Sequence, residues 1–217
     1  RCSAARNFPI MSRAMKNNNT AFAAIASALL LGGCLNFSGP KPPPTLLTLS
    51  TPAPAAEAGA GRSAARGAAI TILVPTVPAT LQTVRIPVRV SANEYAWIKG
   101  AQWVEAPGSL FQRLVSDTIA QRTKLVVLDP RQTSVDPGHR LTGQLLDFGL
   151  DATNPSAPVA RVRYDAVMTL ADGTGLATRR FEAARPSNSD DPRAIARALD
   201  EAAAEVAQQV ADWVGAV

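Results

Sequence analysis

Few residues in this 217-residue chain have the types and spacing to do chemistry, and the most telling is the cysteine that closes Leu31-Gly32-Gly33-Cys34. A cysteine directly after small residues, at the end of an apolar run, is placed to receive a lipid. Cleavage follows Gly33, and Cys34 becomes the lipid-bearing first residue of the mature chain, a pattern that looks like a bacterial lipobox. The preceding residues fit this reading. Arg13 and Lys16 lead into an apolar stretch from Ala21 to Gly33, and no acidic residue occurs before Glu57. A basic start, an apolar centre and small residues before a cut site make a secretory signal peptide. As a helix the apolar stretch would span only about 20 Å, against about 30 Å of membrane hydrocarbon. It reads as a leader rather than a membrane span. Met11 or Met15 is the expected start, which removes Cys2 and leaves Cys34 as the mature chain's one cysteine. An intrachain disulfide then has no second partner, so the folded part must be held by its core.

The other candidates for chemistry are sparse. His139 is the one histidine and sits beside Pro137-Gly138 in an expected loop. One histidine without cysteine partners does not make a metal site. No Gly-x-Ser-x-Gly, phosphate-binding loop, dinucleotide fingerprint or His-Glu-x-x-His occurs, so neither a catalytic set nor a cofactor is expected. Asp190-Asp191 reads as a helix start, and Asp147 with Asp151 as the exposed end of a strand. Trp213 falls on an apolar helix stripe and reads as core. Trp97 and Trp103 flank Lys99-Gly100-Ala101-Gln102, with Tyr95 nearby. Packing under a loop is the first reading for these three aromatics; a partner or lipid contact is the alternative, since Trp and Tyr suit half-wet surfaces.

Charge narrows the partners. The chain carries 22 basic and 17 acidic residues, a formal net of +5. Arg1, Arg6, Arg13 and Lys16 all precede Cys34, whereas every acidic residue follows it, so the mature chain holds 18 basic and 17 acidic residues and a net of +1. Nucleic acid is not an expected partner at that balance. Arg85, Arg89, Arg161, Arg163, Arg179 and Arg180 lie on the polar faces of strands, an ordinary solvated face or a contact for an acidic partner or lipid headgroup.

The elements that must position these residues follow from periodicity. Residues 1–33 are upstream residues and signal peptide. Residues 34–67 form a Pro/Ala/Gly-rich tether interrupted by a short strand at 45–50 that could dock as an edge. Residues 68–217 form one domain. Ala69 to Val74 is a strand ending at Pro75, and Val77 to Gln82 one helical turn. Val84, Ile86, Val88 and Val90 alternate with Arg85, Pro87 and Arg89, and Pro87 makes this an expected edge strand. A strand at Tyr95 to Ile98 turns at Lys99-Gly100, and a four-turn helix carries Leu110, Phe111, Leu114, Val115, Thr118 and Ile119. Strands follow at Lys124–Leu128, Leu141–Ala152, Ala160–Leu170 and Leu176–Ala183, the last two joined by Asp172-Gly173. Asp190 or Asp191 caps a final helix with Pro192 in its first turn and Ile195, Leu199, Ala202, Val206, Val210 and Trp213 on one stripe. The expected fold is α+β: two layers, with two main helices on one face of a mostly antiparallel sheet.

From Cys34 to about Trp213 the chain resembles the ABC-type transport auxiliary lipoproteins, a family that includes the lipoprotein of the paraquat-inducible intermembrane transport system. The resemblance is carried by Thr45–Ser50, Thr71-Ile72-Leu73-Val74-Pro75, Arg85-Ile86-Pro87-Val88, Tyr95 and Gly100–Pro107, then Gln112, Phe148, Phe181-Glu182-Ala183 and Ala198–Ala202. It implies a non-catalytic lipoprotein working with an ABC permease, its ATPase and a mammalian-cell-entry (MCE) type substrate-binding protein that moves lipid between membranes. Only Cys34 carries over as a site residue. The long stretch between Ser50 and Gly67 departs from the family pattern and puts docking of the first strand in question. Leu35 stands where an Asp commonly signals inner-membrane retention, which implies the periplasmic face of the outer membrane. Homo-oligomerisation is left open. The alternatives are a lipoprotein that scaffolds outer-membrane machinery and, on a poor residue inventory, an anchored hydrolase.

Overall fold

The computed structural model describes residues 45–51, 59, 61–65, 67–131 and 138–217. Gly33, Cys34 and the expected signal peptide at 1–33 lie outside the described residues. The strands are β1 (Thr45–Leu47), β2 (Ala69–Ile72), β3 (Pro87–Arg89), β4 (Tyr95–Trp97), β5 (Ala101–Trp103), β6 (Val126–Leu128), β7 (Gly138–Asp151), β8 (Val159–Thr169) and β9 (Leu176–Pro186). The helices are α1 (Pro107–Arg122) and α2 (Pro192–Ala216), and the turn expected near residue 80 is a 3-10 helix at Ala79–Leu81.

The meander β7–β8–β9 is the spine. In β8, Ala160, Val162, Tyr164, Ala166 and Met168 are buried while their neighbours are not, so one face of the pleat meets the helices. Both of its ladders are antiparallel and long. The β8–β9 turn passes through Gly173 at φ 69, a left-handed conformation that glycine adopts without steric cost. On its other edge β7 is shared by two short strands, β2 along its first residues and β3 at its end, both parallel to it. Beyond them, β6 pairs parallel with β2, and β4 antiparallel with β3.

The sheet is therefore mixed: its long ladders are antiparallel, as expected, while the short strands β2, β3 and β6 add parallel pairs that were not expected. Alternation identifies the buried face of a strand but carries no information on the direction of its neighbour. Pro87 is likewise not on an edge, because β3 runs between β4 and β7. It is tolerated as the first residue of its strand, ahead of the β7 ladder, which begins at Val88. Its ring lies over Gly149, where a Cβ would come within 2.8 Å of Pro87 Cγ. His139 is in β7 opposite Ile70, not in a loop, because β2 recruits this stretch into the sheet.

Helix α2 is capped as its sequence suggests: the Arg193 N–H donates to Asp191 Oδ1 at 3.0 Å, with Pro192 in the first turn. Its buried stripe is wider than expected. Ala196, Ala198, Ala203, Ala207 and Ala211 join Ile195, Leu199, Ala202, Val206 and Val210, and these small side chains let sheet and α1 approach closely. Trp213 is only half-buried, packed against Phe181 with ring centroids 5.6 Å apart. Helix α1 buries Leu110, Phe111, Leu114, Val115, Thr118 and Ile119, and Gln112 Nε2 donates to the Ile72 carbonyl to tie it to β2.

The strand expected at 45–50 docks, with pairing limited to three residues. β1 lies parallel to β5 in a separate two-stranded sheet, with Leu47 opposite Trp103. Past it, the Ser50 N–H donates to Asp200 Oδ1 of α2 at 2.8 Å, the Ser50 hydroxyl bonds the same carboxylate, and Thr51 donates to Asp117 of α1 at 3.2 Å.

Candidate functional site: the open face of the sheet

Strand residues directly opposite each other share a face. On the face away from the helices, Trp97 stands opposite Pro87 and Tyr95 opposite Arg89; Arg89 in turn neighbours Asp151. The row continues with Gly149 opposite Arg161, Asp147 opposite Arg163, Arg163 opposite Glu182, and Asp165 opposite Arg180. No α-helix packs on this face among the described residues.

The charges here are paired rather than freely solvated. Arg161 Nη1 donates to Glu182 Oε1 at 2.7 Å and its Nη2 lies 3.3 Å from Asp151. Arg163 Nε donates to Glu182 Oε2 at 2.8 Å, and its Nη1 lies 3.0 Å from Asp147. Arg180 holds Asp165 with two bonds of 2.6 Å. Asp147 and Asp151 thus belong to a network across β7, β8 and β9, which corrects their reading as the exposed end of a strand. The sequence signal was available in Arg161 and Arg163 two apart in a strand, with carboxylates at matching alternation on either side.

Three carboxylates here, Asp151, Asp165 and Glu182, have pKa values below their ordinary range. The hydrogen bond from Arg163 holds Glu182 below the usual range, and that from Arg180 does the same for Asp165. Burial pushes Asp151 up, but hydrogen bonds from Thr153 and the charges of Arg161 and Arg89 outweigh it. Depressed carboxylates contribute stability above their unfolded values, about 3.9 for Asp and 4.3 for Glu, and lose it as pH falls through the folded values. The melting temperature is therefore expected to be flat from about pH 7 to 5 and to fall below about pH 4. A Glu182→Gln variant should show a smaller fall in calorimetry across that range. An equal fall would remove the network from the account.

The aromatic candidates part company. Trp103 is 0% exposed and meets Phe148 edge-on with centroids 5.5 Å apart, so it is core and unavailable to a partner. Tyr95 is 44% exposed. Trp97 is half-buried, with the Arg85 guanidinium 5.9 Å from its ring centre. Between them and the network lies a notch of about 20 Å³, lined by Arg89, Tyr95, Gly149, Asp151 and Arg161, with room for about one water. The buried Nε atoms of Arg89 and Arg161 have no hydrogen-bond partner. Tyr164, on the helix side, donates to the Thr142 carbonyl at 2.8 Å, and burial raises its pKa. No group of three or more metal-ligating side chains occurs among the described residues. Nor is any described helix long and apolar enough to cross a membrane. An ion-paired face rimmed by Tyr95 and Trp97 is suited to binding.

The family model for the ABC-type transport auxiliary lipoprotein component matches residues 47–211. The chain belongs to that family. The match begins at Leu47, the last residue of β1, and ends in the last turns of α2, so it covers the seven-stranded sheet and both helices. The family supplies ABC-type transport with an auxiliary lipoprotein, so this chain is a lipid-anchored auxiliary component of such transport. A Xanthomonas campestris protein of the DUF330 family shares the fold at 23% identity, covering 68% of this chain and 84% of that one, with a TM-score of 0.62. A structure of an uncharacterized protein matches at 11% identity, 68% and 92% coverage and a TM-score of 0.57. The PelC dodecamer of Paraburkholderia phytofirmans aligns over 68% of this chain and 90% of its own, at 11% identity and a TM-score of only 0.39. No curated protein matches.

Proposed function

We propose that this auxiliary lipoprotein is anchored through acylated Cys34 to the periplasmic face of the outer membrane. There it positions an MCE-type substrate-binding protein, with its ABC permease and ATPase, for lipid transfer between membranes. The family match over 165 residues (47–211) carries this reading. The site supports it. Each carboxylate of the open face that could act as acid or base is held by an arginine, and Tyr95 and Trp97 border that face where a partner can reach them. The domain works by binding and placement, with no cofactor.

The test is recovery of partners on the tagged full chain from crosslinked membranes. Permease, ATPase and MCE-type protein should co-purify with the wild type. The Tyr95→Ala/Trp97→Ala double variant should recover them at least several-fold less well while keeping its melting temperature within a few degrees. Absence of all three from the wild-type sample would overturn the transport reading.

A further inference from the structure

The hairpin β8–β9 closes the sheet on one side, and no strand among the described residues pairs with the outer edge of β9. This edge is eleven residues long, and a long open edge is a template for a further strand. Its backbone is set for pairing. The Leu170 N–H donates to the Gly175 carbonyl beyond one end of the β8–β9 ladder, and the Ser187 N–H to that of Pro158 beyond the other. The register between these ends is unbroken, so the odd-numbered residues of β9 direct N–H and C=O to β8. Leu176, Thr178, Arg180, Glu182, Ala184 and Pro186 turn theirs outward. Of these, Pro186 brings no donor, and it stands at the strand's end.

The side chains select the occupant. Arg180 and Glu182 flank Phe181, opposite in charge and both exposed. A second β9 laid antiparallel about Phe181 places each Arg180 opposite the other copy's Glu182, twice over by symmetry. Leu176, 71% exposed, then meets Pro186, and Thr178 meets Ala184. Sliding one strand by two residues, the smallest step that keeps each face, sets Arg180 against Arg180 or Glu182 against Glu182. The charges thus favour one register and oppose its neighbours. Strands β4 and β6, at the opposite side of the sheet, have three residues each and are too short to cover β9.

We propose that the outer edge of β9 is an interface for a second copy of this chain, the two strands pairing antiparallel about Phe181 so that both sheets become one. The pairing forms about ten backbone hydrogen bonds, the number in an ordinary protein interface. It also carries the arginine–carboxylate row across the seam. Arg180 holds Asp165 through Nε and Nη2, and neither bond uses the Nη1 that Glu182 of the second copy can accept from. The proposal does not depend on the transport reading.

The test uses full chains carrying Thr178→Cys or Ala184→Cys, co-expressed under different tags and oxidised in the membrane. These positions face each other in the proposed register and should link, and mass spectrometry of the joined peptides separates this bond from any made by Cys34. Leu176→Cys with Ala184→Cys, and Thr178→Cys with Pro186→Cys, report registers shifted by two residues. Both pairs should link roughly tenfold less, because two residues along a strand exceed the reach of a disulfide. Thr178→Pro removes an outward N–H and leaves the β8 ladder intact. It should raise the dissociation constant of the dimer about tenfold or more in sedimentation of the detergent-solubilised chain, with an unchanged circular dichroism spectrum. If Thr178→Pro does not fold, Ala184→Pro makes the same deletion on the facing residue. A wild type that stays monomeric at micromolar concentration overturns the proposal. So does a larger assembly in which Thr178→Cys and Ala184→Cys fail to link, equal linking in the shifted registers, or a folded proline variant that associates like the wild type.

Discussion

Trp103→Ala should destabilise the domain by about 3–5 kcal/mol, the range for deleting a large buried aromatic. Trp103 is fully buried, its ring edge contacts Phe148, and its own N–H holds the Val84 carbonyl at 2.7 Å. The indole Nε1 is buried without a partner, so truncation sacrifices no side-chain hydrogen bond. The loss is packing, plus the cavity left between β5, Phe148 and the docked Leu47. For a domain of this size the shift in melting temperature is on the order of 10 °C. Trp97→Ala is the internal control. Its half-buried ring stacks under Arg85 on the open face, and its removal should cost under about 1 kcal/mol. Urea melts of the two variants decide the assignment. Near-equal losses would mean that the core and the exposed rim have been confused.

Cys34→Ala should move the protein from the membrane pellet to the soluble fraction and abolish palmitate labelling. The folded domain, which begins at Thr45 among the described residues, should melt as the wild type does. On the proposed anchoring the effect is close to complete, because the acyl chains are all carried by that cysteine. Each buried methylene contributes about 0.8 kcal/mol, one chain gives only reversible binding, and stable attachment takes several. Equal labelling of wild type and variant would refute acylation at Cys34. Unchanged pelleting with labelling lost would instead assign retention to the protein's own surfaces.

Much of the fold was legible because burial on one face writes a period into the sequence. Val162, Tyr164, Ala166 and Met168 mark the inner face of β8, and Asp191 followed by Pro192 marks the start of α2. Neighbour identity is not written the same way. Nothing in Ala69–Ile72 or Pro87–Arg89 distinguishes a parallel from an antiparallel partner, and both strands share β7 in parallel. The two flanking tryptophans show the same limit. Register alone decides their fates: Trp103 falls opposite Leu47 and is buried, whereas Trp97 falls opposite Pro87 on the open face. The charged network was half legible, since alternation placed Arg161 and Arg163 on one face. That Asp147, Asp151 and Glu182 meet them depends on which strands are neighbours.

The docking of β1 changes how a load would travel. The first docked residue is Thr45, so the proposed anchor at Cys34 is moored by eleven chain steps, no more than about 40 Å at full extension. Residues between Thr51 and Ala69 then join two seated segments and add no slack to that line. Tension from the bilayer would enter at Thr45 and shear the three β1–β5 pairs together. It would next reach Ser50 and Thr51, which hand it to Asp200 and Asp117, one on each helix. A pull from the anchor would thus be divided between β5, which passes it through Trp103 to Val84, and the two helices, which take it at Asp200 and Asp117.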